Sequence, residues 1–338
     1  VVSKARPPNQ RVSINDVAAV AGVSRGAVTR ALNNKADISQ DTKRKVLEAA
    51  ERLGYRPSRF ARNFASRRKS KAIGFVVKSF RNPFFTDLAA DLLEQSRVSG
   101  WQVVISSAEG ISEAEAVRAL SGQVDVVAGH FNRPAIELQE ATDGMPLIYL
   151  EGSSDVPGVH AISLDMRSGM KNAIEALYER GAKRIGMIDS DYTVHLDGTY
   201  KPSPRCQFFK QFVDPDTSEA TVHGAESMAG GEMAIMALLE AHPDLDAVIV
   251  FNDLMAIGAL LGAFKAGFAV PGRIRIMGVD GLEMGRALSP ALSSLHIDRA
   301  ELSRAIIQIA NQLDDGAFRE VSPINQTVVP KLIMRHST

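Results

Sequence analysis

Two sets of residues in this sequence have the types and spacing to do chemistry. The first is compact: Ser24, Arg25, Gly26, Thr29 and Arg30 open one helix in the stretch SINDVAAVAGVSRGAVTRALNN. Short hydroxyls and guanidinium groups at a helix start suit phosphates and base edges, and a glycine among them permits close approach. The second set is dispersed, but most of its members stand where an apolar run of strand length ends: Ser79–Phe85, Glu151, Asp189–Asp191, Asn252-Asp253 and Asp280. Acids and an amide in such places, with Arg205 to bind a hydroxyl or an acid group, suit a polyhydroxyl ligand. Neither set is a catalytic constellation. The chain lacks a P-loop, a Gly-x-Gly-x-x-Gly after a strand, a Gly-x-Ser-x-Gly elbow and a His-Glu-x-x-His pair. None of its seven histidines falls at metal-ligand spacing, and the single Cys206 excludes an intrachain disulfide and a thiolate metal cluster. We expect no enzyme, no metal and no cofactor.

The first set needs a small helical unit to hold it. Ser13 can cap a first helix, with Asp16 as a weak capping-box partner, and Val17, Ala18 and Ala21 then share one face. Gly22 ends that helix where a left-handed residue fits, and Ser24 starts the second after only Val23. A third helix begins at Ser39 and stops at Gly54. Small residues (Ala18, Ala19, Ala21, Ala27, Ala31) let two helices cross closely, as helix-turn-helix geometry requires. Beyond Tyr55-Arg56-Pro57, where proline blocks helix continuation, SRFARNFASRRKSK carries Phe60 and Phe64 in a basic segment. That segment reads equally as a plain linker or as one that folds on DNA and wedges an apolar residue between base steps.

From Lys71 short apolar runs alternate with amphipathic stretches: AIGFVV, a helix from about Thr86 to Val98, WQVVISS, SEAEAVRAL, VDVVAGH, PLIYLEG, and so on to a closing strand TVVPKLIMR. Continuous apolar strands alternating with helices are the pattern of doubly wound parallel sheets. Some ten strands over about 260 residues exceed one comfortable sheet, so two successive α/β lobes are expected. The chain would cross between them near Ser163–Arg167 and return near Ser289–Ile297. Open parallel sheets bind ligands beyond the carboxyl ends of their strands, so two facing lobes make a cleft from the second set of residues.

The formal net charge of zero hides an asymmetry. Residues 1–70 hold 16 lysines and arginines against 5 acids, a balance of +11, and the remainder carries 23 against 34, or −11. A basic head on an acidic body is the footprint of a nucleic-acid module joined to a different machine. The polar, basic start VVSKARPPNQR does not read as a signal peptide, and no run approaches the ~20 apolar residues of a membrane span, so no membrane and a cytoplasmic location are expected. A transport-linked solute-binding protein would share the two lobes but not the basic head. A non-specific architectural DNA binder would need no cleft.

DVAAVAGVSRGAVTRALNN, ISQDTKRKVLEAAERLGYRPSRFAR, IGFVV…NPFF, FNDLMAIGALLGAFKAG, IMGVDG, LSPALSSLHID and the terminal VVPKLIMRHST together resemble the LacI/GalR family of bacterial transcription regulators. The resemblance implies an all-α helix-turn-helix headpiece (12–57), a hinge (58–70) and a two-lobed, periplasmic-binding-protein-like core. One lobe would comprise 71–164 and 292–322, the other 165–291 and 323–334. It implies a homodimeric regulator, a repressor, on near-palindromic double-stranded operator DNA. Arg25 and Gly26 match the base-choosing positions, Arg30 a further one at the bases, and Ser13, Ser24, Thr29 and Asn33 positions near phosphates. Arg62 and Phe64 of the hinge complete the DNA set, with phenylalanine where the family usually has leucine. In the cleft, Phe84 and Phe85 would give apolar contact, and Glu151, Arg205, Asn252 and Asp280 hydrogen bonds to a sugar-like effector. A nucleoside or purine effector stays open, as does a solute-binding core without DNA regulation. Four positions depart from the family pattern: Glu226 replaces an aromatic, Gly281 a second acid after Asp280, Ile297 a polar residue and Phe208 a glycine. They fit a nonstandard effector.

Overall fold

The structure, a computed structural model, describes residues 14–32, 38–53, 71–142, 144–191, 199–315 and 322–338. They belong to two units: one runs to Ala72 and takes in Gly122–Asp125, and the other holds Ile73–Ser121 and Val126–Thr338.

In the smaller unit, α1 (Ile14–Ala21), α2 (Arg25–Leu32) and α3 (Gln40–Arg52) share a core of Val17, Val28, Ala31, Val46 and Ala49. Gly22 has φ +69°, and the turn it makes is closed by the Val23 amide donating to the Ala18 carbonyl at 3.1 Å. Two hydroxyls then cap helices whose first amides have no partner of their own. Ser24 Oγ accepts from the Ala27 amide and Ser39 Oγ from the Thr42 amide, both at 3.2 Å. The expected cap at Ser13, the stop at Gly54 and the hinge lie outside the described residues.

The larger unit contains two six-stranded sheets. The first lobe is built from β1 (Ala72–Val77), α4 (Pro83–Ser99), β2 (Gln102–Ser107), α5 (Glu113–Leu120), β3 (Val126–Gly129), α6 (Ala135–Glu140), β4 (Leu147–Leu150) and β5 (Val159–Leu164). The chain then crosses into α7 (Met166–Glu179), β6 (Ile185–Ser190), α8 (Pro204–Phe212), β7 (Thr221–Gly224), α9 (Met228–Ala241), β8 (Ala247–Val250), α10 (Asp253–Lys265), β9 (Arg275–Asp280) and β10 (Ser293–His296). It returns as α11 (Arg299–Asp315), which packs on α4, and β11 (Asn325–Val328) before β12 (Lys331–Ile333) closes the second sheet. The strand orders are β11-β5-β4-β3-β1-β2 and β12-β10-β9-β8-β6-β7. In the second sheet β12 runs antiparallel to β10, with Leu295 opposite Leu332.

Four features differ from the sequence expectation, the first being strand β5, which none of the expected apolar runs covers. Helix α4 starts at Pro83, not Thr86, because Asn82 Oδ1 accepts from the Phe84 amide at 3.0 Å and proline suits the first helical turn. The expected return loop at Ser289–Ile297 contains strand β10, which belongs to the second sheet, so the range 292–322 starts too early for the first lobe. The closing stretch TVVPKLIMR is two strands in two sheets, with Val329-Pro330 between them, and β11 within 323–334 belongs to the first lobe. Proline has no N–H to donate to a ladder, and the chain changes sheets there.

Candidate functional site

On α2 of the smaller unit, Ser24, Arg25, Gly26 and Arg30 are exposed, and the first turn carries no acid. The positive end of the helix is therefore open to an anionic backbone, and the Arg30 guanidinium reaches back toward Gly26 near that end. Gly26 has an ordinary backbone conformation. A Cβ there would meet only Ser24 Oγ at 3.8 Å and Arg30 Nη2 at 3.9 Å, which is ordinary contact, so the fold does not require glycine at this position. The Thr29 backbone is helical. Ser13, Asn33, Arg62 and Phe64 lie outside the described residues.

Within the larger unit a cavity of about 330 Å³ opens between the lobes, and Phe84, Phe85, Glu151, Arg205, Asn252 and Asp280 all line it. The sequence reading placed these six together, and the geometry shows how each is held. Phe84 and Phe85 stand in the first turn of α4, edge to face at 5.5 Å, and both belong to the buried core of the first lobe as well as to the cavity wall. Arg205 stands in the first turn of α8. That turn is anchored by Asp189 at the end of β6, whose carboxylate accepts from Ser203 Oγ (2.6 Å), the Ser203 amide (2.9 Å) and Tyr200 Oη (2.5 Å). Asp189 thus acts as a positioning residue. Arg205 itself donates to the Phe251 carbonyl at 2.6 Å and to Glu151 Oε1 at 3.3 Å, and its guanidinium lies 4.5 Å from the centre of the Phe251 ring.

Asn252 and Asp280 each do half of a structural task and leave half open. Asn252 Oδ1 caps α10 by accepting from the Met255 amide at 2.8 Å, while its Nδ2 is buried with no hydrogen-bond partner among the described residues. Asp280 ends β9 at φ +117°, a region L-residues rarely occupy, with Arg205 Nη1 4.0 Å from its Oδ1 and its Oδ2 buried without a partner among the described residues. Burial pushes the Asp280 carboxyl well above the usual range. Arg205 opposes that rise, and the nearby Asp253 adds to it. Burial also pushes Asp253 up to about 6, against hydrogen bonds from Ser294 Oγ and the Leu282 amide. Buried polar atoms without partners are costly, and both of these belong to residues that line the one cavity.

Three further charged or titratable groups line the cavity. His130 follows β3, with Nδ1 3.8 Å from Glu151 Oε2. Lys78 follows β1, and its Nζ donates to Glu226 Oε1 at 2.7 Å. Burial raises the Glu151 carboxyl, but His130, Arg205 and Lys78 together outweigh it and hold the group below its usual range. Burial draws the Lys78 ammonium down while Glu226 opposes. Lys78 and His130 were missed as site residues, although both stand one residue beyond an apolar strand, where the strand-end rule places ligand contacts.

A basic helical unit with a guanidinium-lined start and two α/β lobes around a polar cleft define a known architecture. Residues 13–58 match the model for bacterial regulatory proteins of the lacI family, and residues 174–338 match the periplasmic binding protein-like domain. The transcriptional regulator GalS of Salmonella typhimurium is 30% identical over 335 residues, which cover 96% of each chain. The chain belongs to the LacI family of bacterial regulators. Like other family members it is a DNA-binding transcriptional regulator and not an enzyme. A LacI-family regulator from Arthrobacter sp. FB24, solved in complex with lactose, is 28% identical and superimposes with a TM-score of 0.72 over 79% of this chain and 99% of that one. The Lac repressor dimer bound to operator and the anti-inducer ONPF shares the fold at 24% identity, with a TM-score of 0.73 over 97% and 99% of the two chains. Among the described residues no helix is long and apolar enough to cross a membrane.

Proposed function

We propose that this LacI-family regulator is a repressor that binds a near-palindromic operator as a homodimer, and that a small sugar-like molecule in the interlobe cleft changes its affinity for DNA. The observation that carries the effector part is the cleft's unfinished hydrogen bonding. Asn252 Nδ2 and Asp280 Oδ2, at strand ends of the second lobe, are buried and unsatisfied, and Arg205 on α8 and Glu151 after β4 of the first lobe line the same cavity. A ligand with several hydroxyls completes that set and draws on both lobes at once. It thereby biases a two-state closure that the rest of the chain can read.

For DNA, Arg25 is the base-reading side chain, and Ser24, Thr29 and Arg30 join it by their match to the family pattern. Ser13, Asn33, Arg62 and Phe64 extend the DNA contact by their match to the family pattern. Two such headpieces read half-sites ~34 Å apart, one helical turn of DNA.

The test is fluorescence anisotropy with a labelled palindrome selected from a random-sequence DNA pool, at fixed salt, with and without each of a set of mono- and disaccharides. A saturating sugar shifts the dissociation constant severalfold or more. No shift with any sugar that raises the protein's melting temperature sinks the effector scheme.

A further inference from the structure

We propose that Lys78 and Glu226 are a specificity-determining pair of the cleft, which reads two adjacent hydroxyls of an uncharged ligand. This inference rests on reading the cleft as an effector site. The two side chains come from opposite lobes. Lys78 follows β1 and Glu226 precedes α9, and Nζ and Oε1 stand 2.7 Å apart. Ser190 Oγ donates to the same oxygen at 2.7 Å, so both bonds fall on Oε1 and neither uses Oε2. Each side chain keeps less than a fifth of its surface open, 18% for Lys78 and 17% for Glu226, and both line the cavity. An ammonium and a carboxylate fixed side by side present a donor and an acceptor. One hydroxyl can accept from Nζ while its neighbour donates to the carboxylate. The carboxylate also stands where the family pattern has an aromatic ring, so this part of the cleft selects by hydroxyl placement rather than by stacking.

Charge pairing sets the ligand's charge. Lys78 is paired with Glu226, and Arg205 with Glu151 at 3.3 Å. An acidic ligand would have to displace one of these carboxylates and strand it in a partly buried site, where an unpaired charge is costly. A neutral polyhydroxyl ligand leaves both pairs intact.

Isothermal titration of the full chain tests the pair, with galactose, ribose, lactose and cellobiose as neutral probes and galacturonate and gluconate as acidic ones. The proteins are wild type, Lys78→Met, Glu226→Gln, the double variant and Arg205→Ala. The double variant removes both charges together, so it leaves no lone buried ion should a single variant fold poorly.

At least one neutral sugar binds wild type, and its acid counterpart binds about tenfold more weakly or worse. Each single change weakens neutral binding about tenfold or more, and the double variant is no worse than the weaker single, as coupled groups behave. Binding that Arg205→Ala abolishes but the pair variants leave within about twofold of wild type keeps the cleft as the effector site and overturns the pair. Tighter binding of an acid, or silence from every neutral probe, also overturns it. Binding untouched by all the variants removes the cleft reading, and the pair with it.

Discussion

Arg25, Gly26 and Asp280 are the residues at which the account is most exposed to test. An exposed arginine at the start of α2 can bond guanine O6 and N7 together, worth about 1–3 kcal/mol of discrimination. Arg25→Ala is therefore expected to relax preference at one base pair of the operator and to leave binding to unrelated DNA nearly unchanged, as read by competition with singly substituted operators. Uniform loss across sequences would instead make Arg25 a phosphate contact. Gly26 has room for a Cβ and no need of an unusual φ. Gly26→Ala should thus stabilise α2 by about 0.5–1 kcal/mol and slow hydrogen exchange of its amides about two- to fivefold. At Asp280 the native state holds a proton more tightly than the unfolded chain, whose aspartates titrate near ~3.9. That contribution to stability is present at low pH and is lost as pH rises through the raised native value. The window spans that of the coupled Asp253, at about 6. Asp280→Asn escapes this loss. Its melting temperature relative to wild type should climb as pH rises from about 4 through about 6, where the neighbouring Asp253 titrates. A difference that stays flat with pH would show that Asp280 titrates normally.

Among the elements, α9 and α10 cross so closely that only glycine fits at the contact. A Cβ at Gly258 would stand 1.8 Å from the Met228 carbonyl oxygen, and one at Gly231 2.0 Å from that of Met255. Gly258→Ala must push the helices apart, at a cost of about 1–3 kcal/mol, and thermal melting should fall by several degrees. The long helices and apolar strands were legible in sequence because each carries its own period and its own cap. Strand β10 was not. Ser293 and Ser294 are fully buried, which their polarity argues against. Their partners include Ser337, Thr338 and Asp253, each more than 40 residues away in the chain. Strand β5 hid for a related reason. His160 interrupts its apolar run, and only the fold shows its Nδ1 accepting from the Ile324 amide of the returning chain.

Taken as a whole molecule, the chain joins a head of net charge +11 to a body of −11, and the division of labour follows that boundary. Glu151, Asn252 and Asp280 were legible because ligand contacts gather at strand ends in an open parallel sheet, whereas Arg205, on α8, was assigned through the family resemblance. The cross-lobe pairing of Lys78 with Glu226 and of Arg205 with Glu151 was not legible, since each partner was readable only as an isolated charge. Both pairs span lobes that the chain crosses into at Asp165, back from after His296, and again at Val329-Pro330. A ligand that engages both lobes changes their mutual geometry, and the central claim is that DNA affinity follows.

The most direct measurement is the dissociation constant for a selected palindromic operator, at fixed salt, for wild type and Arg205→Ala. Each is taken with and without a sugar that raises the wild-type melting temperature. The account predicts a shift of about tenfold, or ~1.4 kcal/mol of coupling, in wild type and none in the variant, with equal operator affinity for the two proteins when no sugar is present. Identical operator affinity in wild type with and without the bound sugar would contradict it.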